Sequence, residues 1–220
     1  MFQYVLFDLD GTLTDPKTGI TSCVQYALAD AGIEEPDLDK LEPFIGPPLT
    51  DSFREFYGFD DEQIKRAIDK YHERFDEKGI FENEIIEGIP ELLKALKDAG
   101  RRVSIASSKP RPLVIRILEH FEIAQYFDTV VGSEFDGRFA TKEAVVEEAL
   151  KQLVSSVYEK EDVAMVGDRK FDIQGARAHG LTGIGVSFGY AGEHELEDAG
   201  ADYIVDTVEE LQRLLLQGSL

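Results

Sequence analysis

Six short apolar runs punctuate the chain: Tyr4–Phe7, Val103–Ala106, Thr129–Val131, Val163–Val166, Thr182–Val186 and Tyr203–Val205. Each is rich in β-branched or aromatic residues and stops at a Gly, Ser or Asp, the pattern of short buried strands. Between them the period changes. Lys142–Leu153 and Val208–Leu215 carry apolar residues at three- and four-residue spacing. Pro90–Ala99 reads as a helix with a proline early and Gly100 closing it. Strands alternating with helices predict an α/β fold, a Rossmann-like parallel sheet with helices on both faces.

Residues 17–84 break the alternation. They hold no strand run, and Thr21–Ala31, Leu49–Tyr57 and Asp61–Lys78 read as helices separated by Pro and Gly clusters. This predicts a small all-helical insertion over 17–84, with a discontinuous α/β domain made of 1–16 and 85–220. A hinge is expected where the chain enters and leaves it, near Asp15–Thr18 and Phe81–Glu87. No internal repeat or low-complexity tract is present.

Composition narrows the partners. Of 220 residues, 43% are hydrophobic, enough for a sizeable core. Acidic residues outnumber basic ones by 44 to 23, a formal charge of −21, which disfavours nucleic acid polymers and anionic membranes. A small phosphorylated metabolite remains possible where a cation and aimed donors reverse the local field. The single cysteine, Cys23, sits among apolar positions and reads as a small core residue. The N-terminal apolar run is too short for a signal peptide or membrane span, so the expected location is cytoplasmic, as a monomer or homodimer.

In open α/β sheets, ligands bind beyond the carboxyl ends of the strands. The polar residues found there form a coherent set. Asp8 and Asp10 follow the first run, Ser107 and Ser108 the second, and Asp168 with Asp172 the fourth; Lys142 opens a helix. A carboxylate can attack phosphorus, as Asp8 would. A second one nearby, Asp10, can protonate the leaving oxygen and then deprotonate water. Gly11 permits close approach of a ligand to the backbone, with Thr12 beside it. Ser107 and Ser108 can hold phosphate oxygens, although either also serves as an ordinary N-cap before Pro110. Lys142 would offset charge between Asp8 and a phosphate dianion. Against this, the helix macrodipole disfavours a cation at that end, and such a lysine is usually solvated. Asp8 and Asp168 suit Mg²⁺, which takes oxygen ligands and few protein carboxylates. Asp172 either joins them or acts as a cap or ion-pair partner of Arg169 or Lys170.

These four motifs, in this order and over the whole chain, resemble the haloacid dehalogenase-like hydrolase superfamily. The resemblance implies Asp8 as nucleophile, Asp10 as acid and base, Ser107 as the phosphate-contacting hydroxyl and Lys142 as the family's lysine. It implies Mg²⁺ held by Asp8, the Asp10 backbone carbonyl, Asp168 and Asp172. True dehalogenases lack an aspartate at the position of Asp10, so the resemblance implies phosphoryl chemistry. Lys142 departs from the family form in having no proline after it. The insertion resembles the cap of the phosphoglycolate-phosphatase-like branch. The loop Phe44–Thr50 is similar to that of phosphoglycolate phosphatases and, more closely, of a 5′-nucleotidase-like subgroup, where it reaches over the active site. Gly46 and Arg54 are therefore expected substrate contacts, with Arg54 equally readable as a surface arginine. Phe53, Phe56 and Tyr57 read as core aromatics or as a stacking platform for a base. The implied activity is Mg²⁺-dependent hydrolysis of phosphoglycolate or a nucleoside 5′-monophosphate through an aspartyl-phosphate. A mutase of the β-phosphoglucomutase type shares all four motifs and stays open. A phosphorylated receiver domain fits poorly, because receivers are shorter and carry a single such aspartate after a middle strand.

Overall fold

All six apolar runs are strands of one sheet in the computed structural model, which describes residues 2–134, 136–154 and 157–218. In chain order the strands are β1 (Tyr4–Phe7), β2 (Thr14–Asp15), β3 (Glu84–Ile85), β4 (Arg102–Pro110), β5 (Thr129–Ser133), β6 (Val163–Gly167), β7 (Thr182–Val186) and β8 (Tyr203–Val205). The main sheet has the order β5-β4-β1-β6-β7-β8, with every pairing parallel. Val5, Leu6 and Phe7 on β1 are all fully buried, so the sheet is covered on both faces.

The helices of this unit are α4 (Ile89–Asp98), α5 (Arg111–His120), α6 (Lys142–Leu153), α7 (Lys170–Ala178), α8 (Glu195–Ala199) and α9 (Val208–Gln217), after α1 (Lys17–Asp30), α2 (Leu49–Tyr57) and α3 (Asp61–Phe75) of the insertion. α6 and α7 pack together, and their Val145, Val146, Ala149 and Ala176 meet Leu6, Ala106, Val131 and Met165 in one buried cluster. α4 pairs with α9 on the other side of the sheet. α5 supplies the helix start expected after Pro110, with Pro110 itself and not a serine at the N-cap. Its Pro112 falls in the first turn, where a missing N–H costs nothing.

The chain divides into two units, one running up to Thr14 and resuming at Ile85, the other Asp15–Glu84. The crossings fall within β2 and β3, which pair as a two-stranded sheet. Residue 84 is thus strand, not helix. In the helical unit α1 begins at Lys17, four residues before the periodicity signals it, and α3 ends at Phe75, three residues earlier than expected. The start of α3 is held by a capping box in which Asp60 accepts from the Gln63 amide and Gln63 from that of Asp60. Phe53 is fully buried, 5.0 Å from Phe44 edge-on and stacked on Phe59 at 5.7 Å, which makes it a core aromatic. Cys23 is buried too, and desolvation pushes its thiol pKa up, as befits an inert core residue. Among the described residues no helix is long and apolar enough to cross a membrane.

Truncating Leu6, fully buried at the centre of the sheet, to Ala should lower unfolding free energy by roughly 2–5 kcal/mol. Urea unfolding measures this, and a loss below about 1 kcal/mol would contradict the packing described.

Candidate active site

The strand order reverses its direction of growth at β1 and β6, and doubly wound sheets open a crevice at such a point. The residues leaving these two neighbours are Asp8 and Asp168. The Asp8 amide still donates to Val166 O at 2.9 Å, which anchors the aspartate to the end of β6. The chain then turns sharply, with the Leu13 and Thr14 amides both donating to Leu9 O. Gly11 makes the turn possible in two ways. Its φ is +81°, and a Cβ there would lie 2.2 Å from Asp168 Oδ2.

Lys142 is the first residue of α6, where Thr141 Oγ1 caps the helix by accepting from the Ala144 amide at 3.3 Å. Its side chain is buried, and Nζ donates to Ala106 O at 3.0 Å. Nζ also lies 2.8 Å from both Asp8 Oδ1 and Asp172 Oδ1. Lys142 thus forms an ion pair with both carboxylates. Burial alone would lower the lysine's pKa, but the charges of Asp172 and Asp8 outweigh it and the net shift is upward. The expected mismatch with the helix macrodipole is thus resolved by two carboxylates.

Asp168 is fully buried. Its Oδ1 accepts from Thr12 Oγ1 at 3.2 Å and its Oδ2 from the Tyr190 amide at 2.8 Å. Asp172 Oδ2 accepts from the Arg169 amide at 3.0 Å. One oxygen of Asp172 thus caps α7, as expected, and the other lies against Lys142. Carboxylate oxygens of Asp8, Asp168 and Asp172 all lie within 4.8 Å of one another. Burial, reinforced by the charges of Asp172 and Asp8, pushes the Asp168 carboxyl up to about 8. Burial also raises that of Asp172, against the opposing charge of Lys142. Buried carboxylates crowded in this way form a hard, all-oxygen donor set short of positive charge, which fits a divalent cation.

On the β4 side, Ser107 is buried and its Oγ accepts from the Lys109 amide at 3.3 Å, while Ser108 O accepts from Ser133 Oγ at 2.7 Å. Both serines lie within β4, which continues four residues past the apolar run that marks it. Asp10 is buried, with Oδ2 paired to Lys109 Nζ and Oδ1 without a hydrogen-bond partner among the described residues. Asp8, Asp10, Gly11, Thr12, Ser107, Ser108, Lys142, Asp168 and Asp172 all belong to the sheet unit, where Lys142 and Thr12 join the cluster of Asp8, Asp168 and Asp172 and Lys109 joins Asp10. The hydroxyl of Thr12 donates to Asp168. Gly46 and Arg54 belong to the helical unit, where Arg54 donates to Asp61 Oδ1 at 2.7 Å and stays half exposed.

Sequence reasoning misses three contributors. Lys109 stands beside two serines that carry the more obvious signal for a phosphate contact. Tyr190 acts through its backbone amide, which leaves no side-chain signal. Glu195 accepts from Arg169 Nε at 2.9 Å, the Lys170 amide at 2.8 Å and the Gly192 amide at 3.0 Å, tying the loop after Asp168 to the start of α8.

A doubly wound parallel sheet thus carries an acid cluster and a buried lysine at its switch point. The chain belongs to the haloacid dehalogenase-like hydrolase family, whose model matches residues 5–186. It is similar to a 5′-nucleotidase of Pseudomonas aeruginosa, 46% identical over 195 residues, covering 89% of this chain and 87% of that protein. It is also similar to the tyrosine-protein kinase PtkA of Mycobacterium tuberculosis, 38% identical over 97% of this chain and 72% of the relative. Among solved structures, a predicted phosphatase from Clostridium acetobutylicum superposes with a TM-score of 0.92 at 46% identity, covering 99% of each chain.

The raised Asp168 carboxyl has a consequence for stability. In the metal-free protein its contribution is complete below the ordinary carboxyl pKa and is lost as pH rises through about 8, because the ionised form is disfavoured in the fold. A bound cation reverses that preference. The gain in Tm on adding Mg²⁺ over chelator should therefore be small near about pH 5.5 and grow toward about pH 8.5. A gain independent of pH across thermal melts would contradict a cation site at Asp168.

Proposed function

We propose that this phosphatase is Mg²⁺-dependent and hydrolyses nucleoside 5′-monophosphates, or phosphoglycolate as the second candidate, through an aspartyl-phosphate on Asp8. The observation that carries the reading is the buried ammonium of Lys142 lying between Asp8 and Asp172, beside Asp168. An attacking carboxylate meets a phosphate dianion only if nearby positive charge offsets the repulsion. Mg²⁺ held by Asp8, the Asp10 carbonyl, Asp168 and Asp172 would supply further positive charge at the phosphoryl oxygens.

In this reading Lys142 fixes the orientation of the Asp8 carboxylate, and Ser107 offers its hydroxyl to a phosphoryl oxygen. An Asp8 oxygen attacks phosphorus as the ester P–O bond breaks, and Asp10 gives its proton to the departing oxygen. Asp10 then takes a proton from water, whose oxygen displaces Asp8 from phosphorus and releases phosphate. The likeness to a 5′-nucleotidase at 46% identity supports the nucleotide over phosphoglycolate, whose named phosphatase from the same Pseudomonas is 25% identical over 216 residues. Gly46 and Arg54 of the helical unit are further proposed substrate contacts.

The test is phosphate release with Mg²⁺ from nucleoside 5′-monophosphates, phosphoglycolate and sugar phosphates. Turnover should be greatest with a nucleoside 5′-monophosphate and vanish with chelator. Formation of an isomeric sugar phosphate instead of free phosphate would contradict hydrolysis. Asp8→Asn should abolish turnover in a folded protein, and substantial residual activity would exclude the covalent role. Asp10→Asn should slow both half-reactions by roughly 10²–10⁴-fold. An undiminished burst of product in that variant would contradict Asp10 as the acid.

A further inference from the structure

Lys142 pairs with Asp8 and Asp172, and Asp10 has a lysine of its own. Lys109 Nζ pairs with Asp10 Oδ2, and the two side chains are only 8% and 11% exposed. A buried lysine that has given up its hydration must hold a defined place, and the partner it fixes is held equally.

The backbone around Lys109 is shaped to put it there. The β4–β5 register shifts between Ser107 and Pro110, the irregularity that re-aims side chains at strand ends. The Lys109 amide is turned toward Ser107 Oγ. Ser133 Oγ holds the preceding carbonyl, that of Ser108. Gly132 on β5 gives the irregular backbone room, since a Cβ there would lie 2.5 Å from Lys109 O. The pairing leaves Asp10 Oδ1 buried and without a hydrogen-bond partner among the described residues. One oxygen of Asp10 is thus clamped, and the other is desolvated and held at a set angle. That is the arrangement a general acid needs to deliver a proton to one point in space.

We propose that Lys109 is the positioning residue for Asp10, holding its carboxyl group so that Oδ1 meets the leaving-group oxygen. The inference rests on the acid role proposed for Asp10. Lys109 acts through Asp10, and its importance therefore scales with how badly the leaving group needs a proton. A nucleoside 5′-oxygen leaves as an alkoxide unless protonated as the P–O bond breaks. Nitrophenolate departs without that help.

The experiment compares kcat/KM, which reports phosphorylation of the enzyme, for a nucleoside 5′-monophosphate and for p-nitrophenyl phosphate. It uses the Mg²⁺-loaded full chain and the variants Lys109→Met, Lys109→Arg, Asp10→Asn and Asp10→Asn/Lys109→Met. Lys109→Met should lose about 10²-fold on the nucleotide and under about 10-fold on p-nitrophenyl phosphate. In the Asp10→Asn background the same change should add little to the discrimination between the two substrates. Lys109→Arg keeps the charge at altered reach and should show the same selectivity at smaller amplitude, which keeps the test alive if the Met variant melts early. Equal losses on both substrates would mean that Lys109 only binds phosphate or supports the fold, and would overturn the proposal. So would an undiminished nucleotide rate. If Asp10→Asn itself loses both substrates equally, the acid role of Asp10 fails and Lys109 has nothing to position.

Discussion

Three carboxylates buried within 4.8 Å of one another are the constraint on which the rest of this site depends. Two unit charges at about 4 Å repel by roughly 4 kcal/mol at the effective dielectric of a protein, and burial keeps bulk water from softening it. The fold offsets this with positive charge placed from elsewhere in the chain. Lys142 comes from the start of α6, Lys109 from the end of β4, and the amides of Arg169 and Tyr190 donate directly to the carboxylates. Burial first, and then the repulsion left uncompensated, show in the raised carboxyls of Asp168 and Asp172. In the proposed reading a divalent cation and a phosphate would bring opposite charges to the same place, leaving the cluster frustrated alone and satisfied in use.

The apolar sheet makes that frustration tolerable. β1 and β6 are neighbours because the chain crosses over after β5, and adjacency at the switch point is what sets Asp8 against Asp168. Glycine completes the approach, since any side chain at residue 11 would occupy the space of the Asp168 carboxylate.

How much of this was legible in the sequence differs by the kind of force involved. The six strands were readable because burial on both faces writes itself as unbroken apolar runs, and Asp8 and Asp168 were readable as the first polar residues beyond two of those runs. The end of β4 was not, because parallel pairing through Ser107 to Pro110 uses backbone groups and needs no apolar side chain. Lys142 read poorly for the opposite reason. Local electrostatics place a lysine badly at a helix N-terminus, and only the long-range meeting with Asp8 and Asp172 corrects the sign. Lys109 and Tyr190 were invisible, since one depends on a register shift and the other on a backbone amide. In the helical unit, Arg54 finds Asp61 across the α2–α3 turn, a pairing that spacing alone does not signal.

The central claim is that this frustrated cluster exists to let Asp8 accept a phosphoryl group. Rapid acid quench during turnover of a nucleoside 5′-monophosphate, followed by mass spectrometry of the peptides, tests it most directly. The structure leads us to expect one added phosphoryl group on the peptide carrying Asp8, labile to hydroxylamine and absent in Asp8→Asn. Phosphate release at the full rate with no phosphorylated peptide, or with the label on another residue, would contradict it.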